Sequence, residues 1–386
     1  MASTKGKQHV VVIGAGIIGS ACAYYAARAG YRVTVFDSGE IGGATTAFSG
    51  SSVLEQTKSS PLLLDLTRRS KNLYKALKCD VGVPYQVAGS LILFRTPEEE
   101  AFLIERCSWL RTHGVQVDTL SASELRRRLP GVAETVRGAT YAPRDAEVPP
   151  REACLAIAQG ATRLGAVFQP GVAVTALDAA GDRIRGIVTQ NGIVACDEVV
   201  LAAGPWTGRV AAWIGLAVPM RSQKGELLLT GPTDASLPGR ILSAGYLMSK
   251  FGPKSAPDGF SVGLAVGREP DGSIKIGSTR EWADLEATTT TRARQALLEE
   301  LRQYLPDVAA CSIRRQTAGF RPYSLLQRPI IGRPQGLDGL IVASGHGGDG
   351  IALAPITGWL VARLVEGVTT GLEQALALAA PEETAR

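Results

Sequence analysis

Residues Val10 to Gly19 read Val-Val-Val-Ile-Gly-Ala-Gly-Ile-Ile-Gly. A β-branched run that opens into GxGxxG predicts a strand, a tight turn and a helix, in that order. Gly14 makes the turn, Gly16 lets backbone amides approach a pyrophosphate, and Gly19 lets helix and sheet pack closely. Outward from this core, His9–Ile13 is the strand, 18–29 the helix and 31–36 a second strand. Asp37 follows that strand, about 20 residues on from the turn, where a carboxylate accepts hydrogen bonds from ribose hydroxyls. The helix N-terminus, with Ile17 and Ile18, turns its positive end to the phosphates. The residues expected at the nucleotide are therefore Gly14, Gly16, Ile17, Ile18 and Gly19, with Asp37 and Ser38.

The same stretch imitates a secretory signal, because Lys5 and Lys7 precede apolar residues from Val10 to Ala27. Glycines at 14, 16 and 19 followed by a second strand serve a nucleotide turn and have no use in a signal helix. No other stretch reaches the roughly 20 apolar residues of a membrane span. A chain of 386 residues exceeds what one hydrophobic core accommodates, so two domains are expected. Its net charge of +5 is scattered; the longest basic run, Arg126–Arg128 after Glu124, reads as a solvated helix face. That balance favours anionic small molecules over nucleic acid. Six cysteines, never as CxxC, and three dispersed histidines encode no metal or iron–sulfur site and fit free thiols in a reducing cytoplasm.

Prolines open helices at 61–78, 97–113 and 149–164. Strands are expected at 90–95, 166–177, 184–190 and 193–202, with Asn191-Gly192 as a hairpin turn. Residues 218–277 read as strands broken by Gly and Pro, and 292–304 as a helix with Leu297, Leu298 and Leu301 on one face. This second part is mixed α+β. The tail after about Ala380 looks disordered.

Two further small-residue turns favour a long cofactor. Gly42-Gly43-Ala44-Thr45-Thr46-Ala47 offers hydroxyls for phosphate and ribitol, and Gly345-His346-Gly347-Gly348-Asp349-Gly350-Ile351 opens a helix from 352 to 366. The second turn sets another helix N-terminus against developing negative charge.

Gly14–Gly19 with Asp37, the strand ending Ala202-Ala203-Gly204-Pro205-Trp206, the segment Thr317-Ala318-Gly319-Phe320-Arg321-Pro322 and Gly345-His346 before the last helix resemble the glycine oxidase and D-amino acid oxidase family, in the family's order. The resemblance spans nearly the whole chain. It implies FAD held between the N- and C-terminal segments, Val174 near the adenine, Ala203, Gly204 and Trp206 beside the cofactor, and the flavin pyrimidine end next to the helix after His346. The expected fold is α/β: a three-layer, Rossmann-like FAD-binding domain (1–85, 140–217, 325–386) interleaved with a mixed α+β substrate domain built on an antiparallel sheet (86–139, 218–324).

The implied reaction moves a hydride from substrate carbon to flavin and leaves an imine, so the protein must orient and stabilise charge. In relatives the arginine matching Arg321 pairs with the substrate carboxylate; a structural ion pair is the alternative. Tyr246 either hydrogen-bonds substrate or lies in the core. His346 is either a hydrogen-bonder of the flavin turn or a proton shuttle, and Lys224 is near the flavin or on the surface. Glycine oxidases carry an aromatic residue and an arginine where this chain has Gly347 and Gly348. The Gly-His-Gly-Gly-Asp-Gly turn, and a segment from Ser243 through the loop to Gly263 longer than the matching hairpin, look instead like β subunits of heteromeric hydroxyproline, proline and opine dehydrogenases. The expected partners are a small carboxylate-bearing amine, oxygen or another electron acceptor, and subunits carrying an iron–sulfur cluster. A nicotinamide dehydrogenase would share the βαβ unit but has no need of the C-terminal turn. A flavin-carrying relay subunit would not turn over a dye in isolation.

Overall fold

The computed structural model of the chain describes residues 8–251 and 259–378; Lys5, Lys7, part of the loop to Gly263 and the tail after Ala380 fall outside them. His9–Ile13 is the buried middle of a six-stranded sheet whose order is Ile330–Gly332, Leu340–Ser344, Glu198–Leu201, His9–Ile13, Arg32–Asp37, Val167–Pro170. All neighbours are parallel except the edge strand Ile330–Gly332. A parallel strand is covered on both faces, which explains the unbroken apolar run. Val10 and Val12 pack under the helices Ile17–Arg28, Pro61–Val81, Pro150–Arg163 and Gly350–Val365. Val11 and Ile13 face the opposite way, onto a three-stranded antiparallel sheet with Leu177, Ile184 and Ile187. The result is the expected three-layer α/β arrangement.

The second sheet has eight strands in the order Ile313–Ser324, Met220–Pro232, Ser273–Trp282, Ser261–Arg268, Arg240–Ser243, Ser90–Phe94, Gly138–Ala142, Asp118–Ser121. One face is sealed by helix Thr291–Arg302, where Leu297 and Leu301 meet Leu228, Ile241, Leu264, Val266, Ile274 and Ile276. Full burial of each such side chain contributes about 1.5–3 kcal/mol. On the other face Leu227, Gly277 and Ala265 lie in register across three strands and form the floor of a cavity.

Three segments differ from expectation. Residues 166–177 are two strands in different sheets, because Gly171 at φ 76° turns the chain between Val167–Pro170 and Val174–Ala180. Residues 193–202 divide likewise into Gly192–Ala195 and Glu198–Leu201, with the break at Asp197, whose Oδ2 accepts the His9 amide at 2.7 Å. Ala244–Phe251 is a helix, not part of a long hairpin loop; the Ser243 hydroxyl accepts the Tyr246 amide at 3.1 Å in its first turn. The basic run does sit on an exposed helix, Ala122–Arg128, started by a reciprocal Ser121–Glu124 capping box.

Candidate active site

Four neighbouring strands of the six-stranded sheet end at one cavity of about 850 Å³, through Gly14, Asp37, Ala202 and Ser344. Ligands of open α/β sheets bind beyond the carboxyl ends of the strands. Gly14 has φ 106°, and a Cβ there would stand 2.5 Å from the Ala202 carbonyl oxygen, so no other residue fits the turn. Asp37 accepts the Ala15 amide on Oδ2 at 2.7 Å and the Gly39 amide on Oδ1 at 2.8 Å. It thereby holds both adjacent turns, with a lone pair left on each oxygen. Thr46 Oγ1 accepts the Ile17 amide at 3.1 Å, capping the first helix and keeping its own proton for another acceptor. Thr45 donates to the Phe320 carbonyl at 2.9 Å and ties this loop to the second sheet. Gly16, Ile17, Ile18, Ser38, Ala44, Val174, Ala203, Gly204 and Trp206 also line the cavity. A wall of glycine turn, helix N-terminus, hydroxyls and one carboxylate suits a dinucleotide cofactor.

At the far end the second glycine turn contributes His346, Gly347, Gly348, Gly350 and Ile351 to the wall. Thr357 donates its hydroxyl proton to the Leu353 carbonyl at 2.8 Å, so the 2.9 Å contact between His346 Nε2 and Thr357 Oγ1 requires the imidazole to donate. Burial pushes the His346 pKa down to about 4, against a smaller upward pull from Asp349. A neutral ring with Nε2 committed to Thr357 is the arrangement that the hydrogen-bonding reading requires. Gly19, Gly345 and Asp349 do not line the cavity. A Cβ on Gly19 would overlap the Gly14 carbonyl oxygen, which is the close packing expected of it. Gly345, at φ 77°, is the bend after the strand. Asp349 is in contact with the buried Lys58 and 3.1 Å from Lys250. Burial alone would raise its carboxyl, but the two ammonium groups outweigh that and hold it well below the usual range.

Arg321 reaches across the second sheet. Its Nη2 donates to Ser278 Oγ at 2.6 Å, and Nη1 to the carbonyls of Thr279 at 3.2 Å and Lys224 at 3.5 Å. No carboxylate pairs with it among the described residues, so the structural ion pair is not formed. Burial, then the nearby Arg280, lower its pKa to about 10, which leaves it charged at neutral pH. Tyr246 also lines the cavity, with the Arg280 guanidinium 4.3 Å from its ring centroid. Burial raises the phenol, yet Arg280, Lys250 and Arg321 together draw it below its ordinary value. Lys224 is neither on the surface nor on the cavity wall: it is buried between Glu281 at 2.9 Å and Glu226 at 3.3 Å. Phe48, Ser278, Arg240 and, behind Tyr246, Arg280 are site residues that the sequence reading missed. Isolated residues on strands and loops carry no motif; only alternation within Ser273–Trp282 hinted that Ser278 and Arg280 share a face.

Comparison with known proteins agrees with this geometry. The family described as FAD dependent oxidoreductase (DAO) matches residues 9–364. Glycine oxidase of Pseudomonas aeruginosa is 31% identical over 369 residues, covering 93% of this chain and 95% of that protein. A hydrogen cyanide synthase subunit of the same species is 26% identical over 415 residues, 96% of this chain and 95% of that one. The crystal structure of glycine oxidase from Geobacillus kaustophilus superposes with a TM-score of 0.85 at 26% identity, over 97% of this chain and 99% of that one.

Proposed function

The chain belongs to the DAO family of FAD dependent oxidoreductases, and from that premise we propose that it oxidises the C–N bond of a small amino acid or N-substituted amino acid to an imine. One observation carries the substrate reading: Arg321 presents a buried guanidinium without an acidic partner to the same cavity that receives the two helix N-termini. A planar fork in that position is the natural partner of a substrate carboxylate.

Bound flavin supplies the acceptor for the hydride leaving the substrate carbon. The chain's residues do the rest. Gly14, Gly16, Ile17 and Ile18 would hold the pyrophosphate, Asp37 and Ser38 the ribose, Ala44, Thr45 and Thr46 the phosphate and ribitol, and Val174 the adenine. Ala203, Gly204 and Trp206 flank the cofactor. Gly347, Gly348, Gly350 and Ile351 would hold the flavin end of the cofactor at the start of the last helix, with Gly345, His346 and Asp349 shaping that turn. Tyr246, its phenol made more acidic by three cations, hydrogen-bonds the substrate. Residues 1–85, 140–217 and 325–386 form the FAD-binding domain, and 86–139 with 218–324 the substrate domain. This division is supported by the sheets, since only the end of Gly138–Ala142 and the short strand Gln86–Val87 cross it.

We further infer that electrons leave through partner subunits carrying an iron–sulfur cluster, in the cytoplasm. The similarity to a hydrogen cyanide synthase subunit supports a heteromer, and six free cysteines support a reducing compartment. Among the described residues no helix is long and apolar enough to cross a membrane. A stand-alone glycine-oxidase-like enzyme using oxygen is the second reading, favoured by the relative of highest identity quoted above.

The test is anaerobic addition of proline, hydroxyproline, sarcosine, glycine, D-amino acids and opines to the FAD-loaded protein, followed at the flavin absorbance band. At least one amine bearing a carboxylate should bleach it; a panel that leaves it unchanged removes the substrate class. Reoxidation of the bleached protein by oxygen, compared with a dye, separates oxidase from dehydrogenase.

A further inference from the structure

We propose that Arg240 is a second anion-binding position in the cavity, so that the preferred amine carries two acidic groups, one on Arg321 and one on Arg240. The assignment rests on the oxidation reading above and narrows its substrate class. Arg240 begins the strand Arg240–Ser243 and is only 3% exposed. Its guanidinium lies where Gly267 and Gly50 leave room for it; a Cβ on either glycine would overlap Nη1 or Nη2. Nε and Nη1 are buried and have no hydrogen-bond partner, yet the residue lines the cavity. Among the described residues no carboxylate lies within ion-pair distance of it. Glu147 is near enough for Arg240 to bias its charge, and Oε1 of Glu147 and of Glu269 are themselves buried without a partner, but neither forms an ion pair with Arg240; Oε2 of Glu269 is 2.9 Å from Lys275. Burying a guanidinium with unpaired donors is unfavourable, and an anion meeting the edge that reaches the cavity offsets that cost.

The spacing fits a small dicarboxylate. Arg321 is anchored over Ser278 on Ser273–Trp282, whereas Arg240 Nη1 stands beside Gly267 on the adjacent strand. Gly267 pairs with Lys275, three positions from Ser278. At about 4.8 Å between strands and about 3.4 Å per residue, the facing edges of the two guanidinium groups are roughly 11 Å apart, the body of the Arg321 fork lying over Gly225 one strand further away. Carboxylate oxygens about 3 Å from each of these edges are then roughly 5 Å apart, the span of a small dicarboxylate. Gly277 and Ala265 floor the space between and take nothing from it.

Succinate and butyrate, equal in chain length and differing by one carboxylate, are the probes, with binding to the FAD-loaded protein read from the flavin difference spectrum and from thermal shift. Wild type should bind succinate at least about tenfold more tightly than butyrate, as expected for an additional charged hydrogen-bonded contact. Arg240→Met should erase that preference, leave butyrate binding and flavin content unchanged, and melt no lower than wild type without ligand. Arg240→Lys should keep an intermediate preference. Equal binding of the two acids by wild type, or a retained preference in Arg240→Met, overturns the assignment. So does an equal loss of both acids together with flavin, which would make Arg240 a cofactor or fold residue. Neither probe has an amine to oxidise, so a failed amine panel sinks the oxidation reading alone, and a missing succinate preference sinks the Arg240 assignment alone.

Discussion

Arg321 shows how a lone side chain acquires a role from its surroundings. Pro322 biases it to extended backbone, and three donations to Ser278, Thr279 and Lys224 fix its fork. Replacing it by Ala should leave flavin content intact and weaken substrate binding by about 2–5 kcal/mol, raising the concentration needed for half-reduction, as for a buried charged pair that loses one member. Arg321→Lys should recover part of this, since an ammonium cannot donate in parallel. Half-reduction at wild-type substrate concentration in an anaerobic titration would make the residue structural. His346 yields a pH prediction. Its folded pKa of about 4 lies below the ordinary value of 6.5, so the unfolded chain binds the extra proton first as pH falls. The associated stability is present above pH 6.5 and is lost as pH falls through about 4, an amount on the order of 3 kcal/mol. His346→Asn should therefore show a shallower decline in urea midpoint between pH 7 and 4.5 than wild type; parallel declines would refute the assignment.

At the scale of elements, the site depends on two helix N-termini held in fixed relation. Ile17–Arg28 and Gly350–Val365 pack directly, and a Cβ on Gly358 would overlap the Ala21 carbonyl. Helices that approach this closely cannot absorb an added methyl without moving apart. Gly358→Ala should lower stability by about 1–3 kcal/mol through overpacking, and should also weaken FAD binding, because both N-termini shift. Unfolding by urea with and without added FAD checks it: the variant should lose part of the FAD-induced increase as well as the baseline. If only the baseline falls, the helix pair is not what sets the cofactor's seat.

For the whole molecule, the cavity is bounded by two sheets that are far apart in topology. Thr45 joins the first to Phe320 on the second, and Pro61–Val81 joins the last helix through Tyr74, whose hydroxyl bonds the Ile351 carbonyl. A ligand filling the cavity should stabilise the whole protein by mass action, by about 2.7 kcal/mol at a hundredfold excess over its dissociation constant. Acid precipitation should release the flavin, because no histidine or cysteine stands in a recognisable flavin-linkage motif. The refolded apoprotein should then gain melting temperature steadily with added FAD. Yellow colour that stays with the precipitated pellet would show a covalent link and overturn this.

The amino-acid sequence by itself determined the nucleotide end. Gly14 through Gly19 and Asp37 form a local motif whose turn, helix start and acid lie within 24 residues, so chain geometry alone brings them together. It also determined the helices that begin at Pro61, Pro97 and Thr291, because proline starts, capping residues and apolar spacing are local signals, but not Ala244–Phe251, which has no proline start. Only the tertiary structure decided the substrate end. Arg321, Tyr246, Arg280 and Arg240 come from separate strands and one short helix, and register between strands places them around one space. The same holds for Asp349, which reads in sequence as part of the glycine turn. Its partners Lys58 and Lys250 are 291 and 99 residues away, and no local pattern shows that they turn its carboxylate off the cavity wall. Local signals report backbone conformation; which charges remain unpaired is a property of the packed whole.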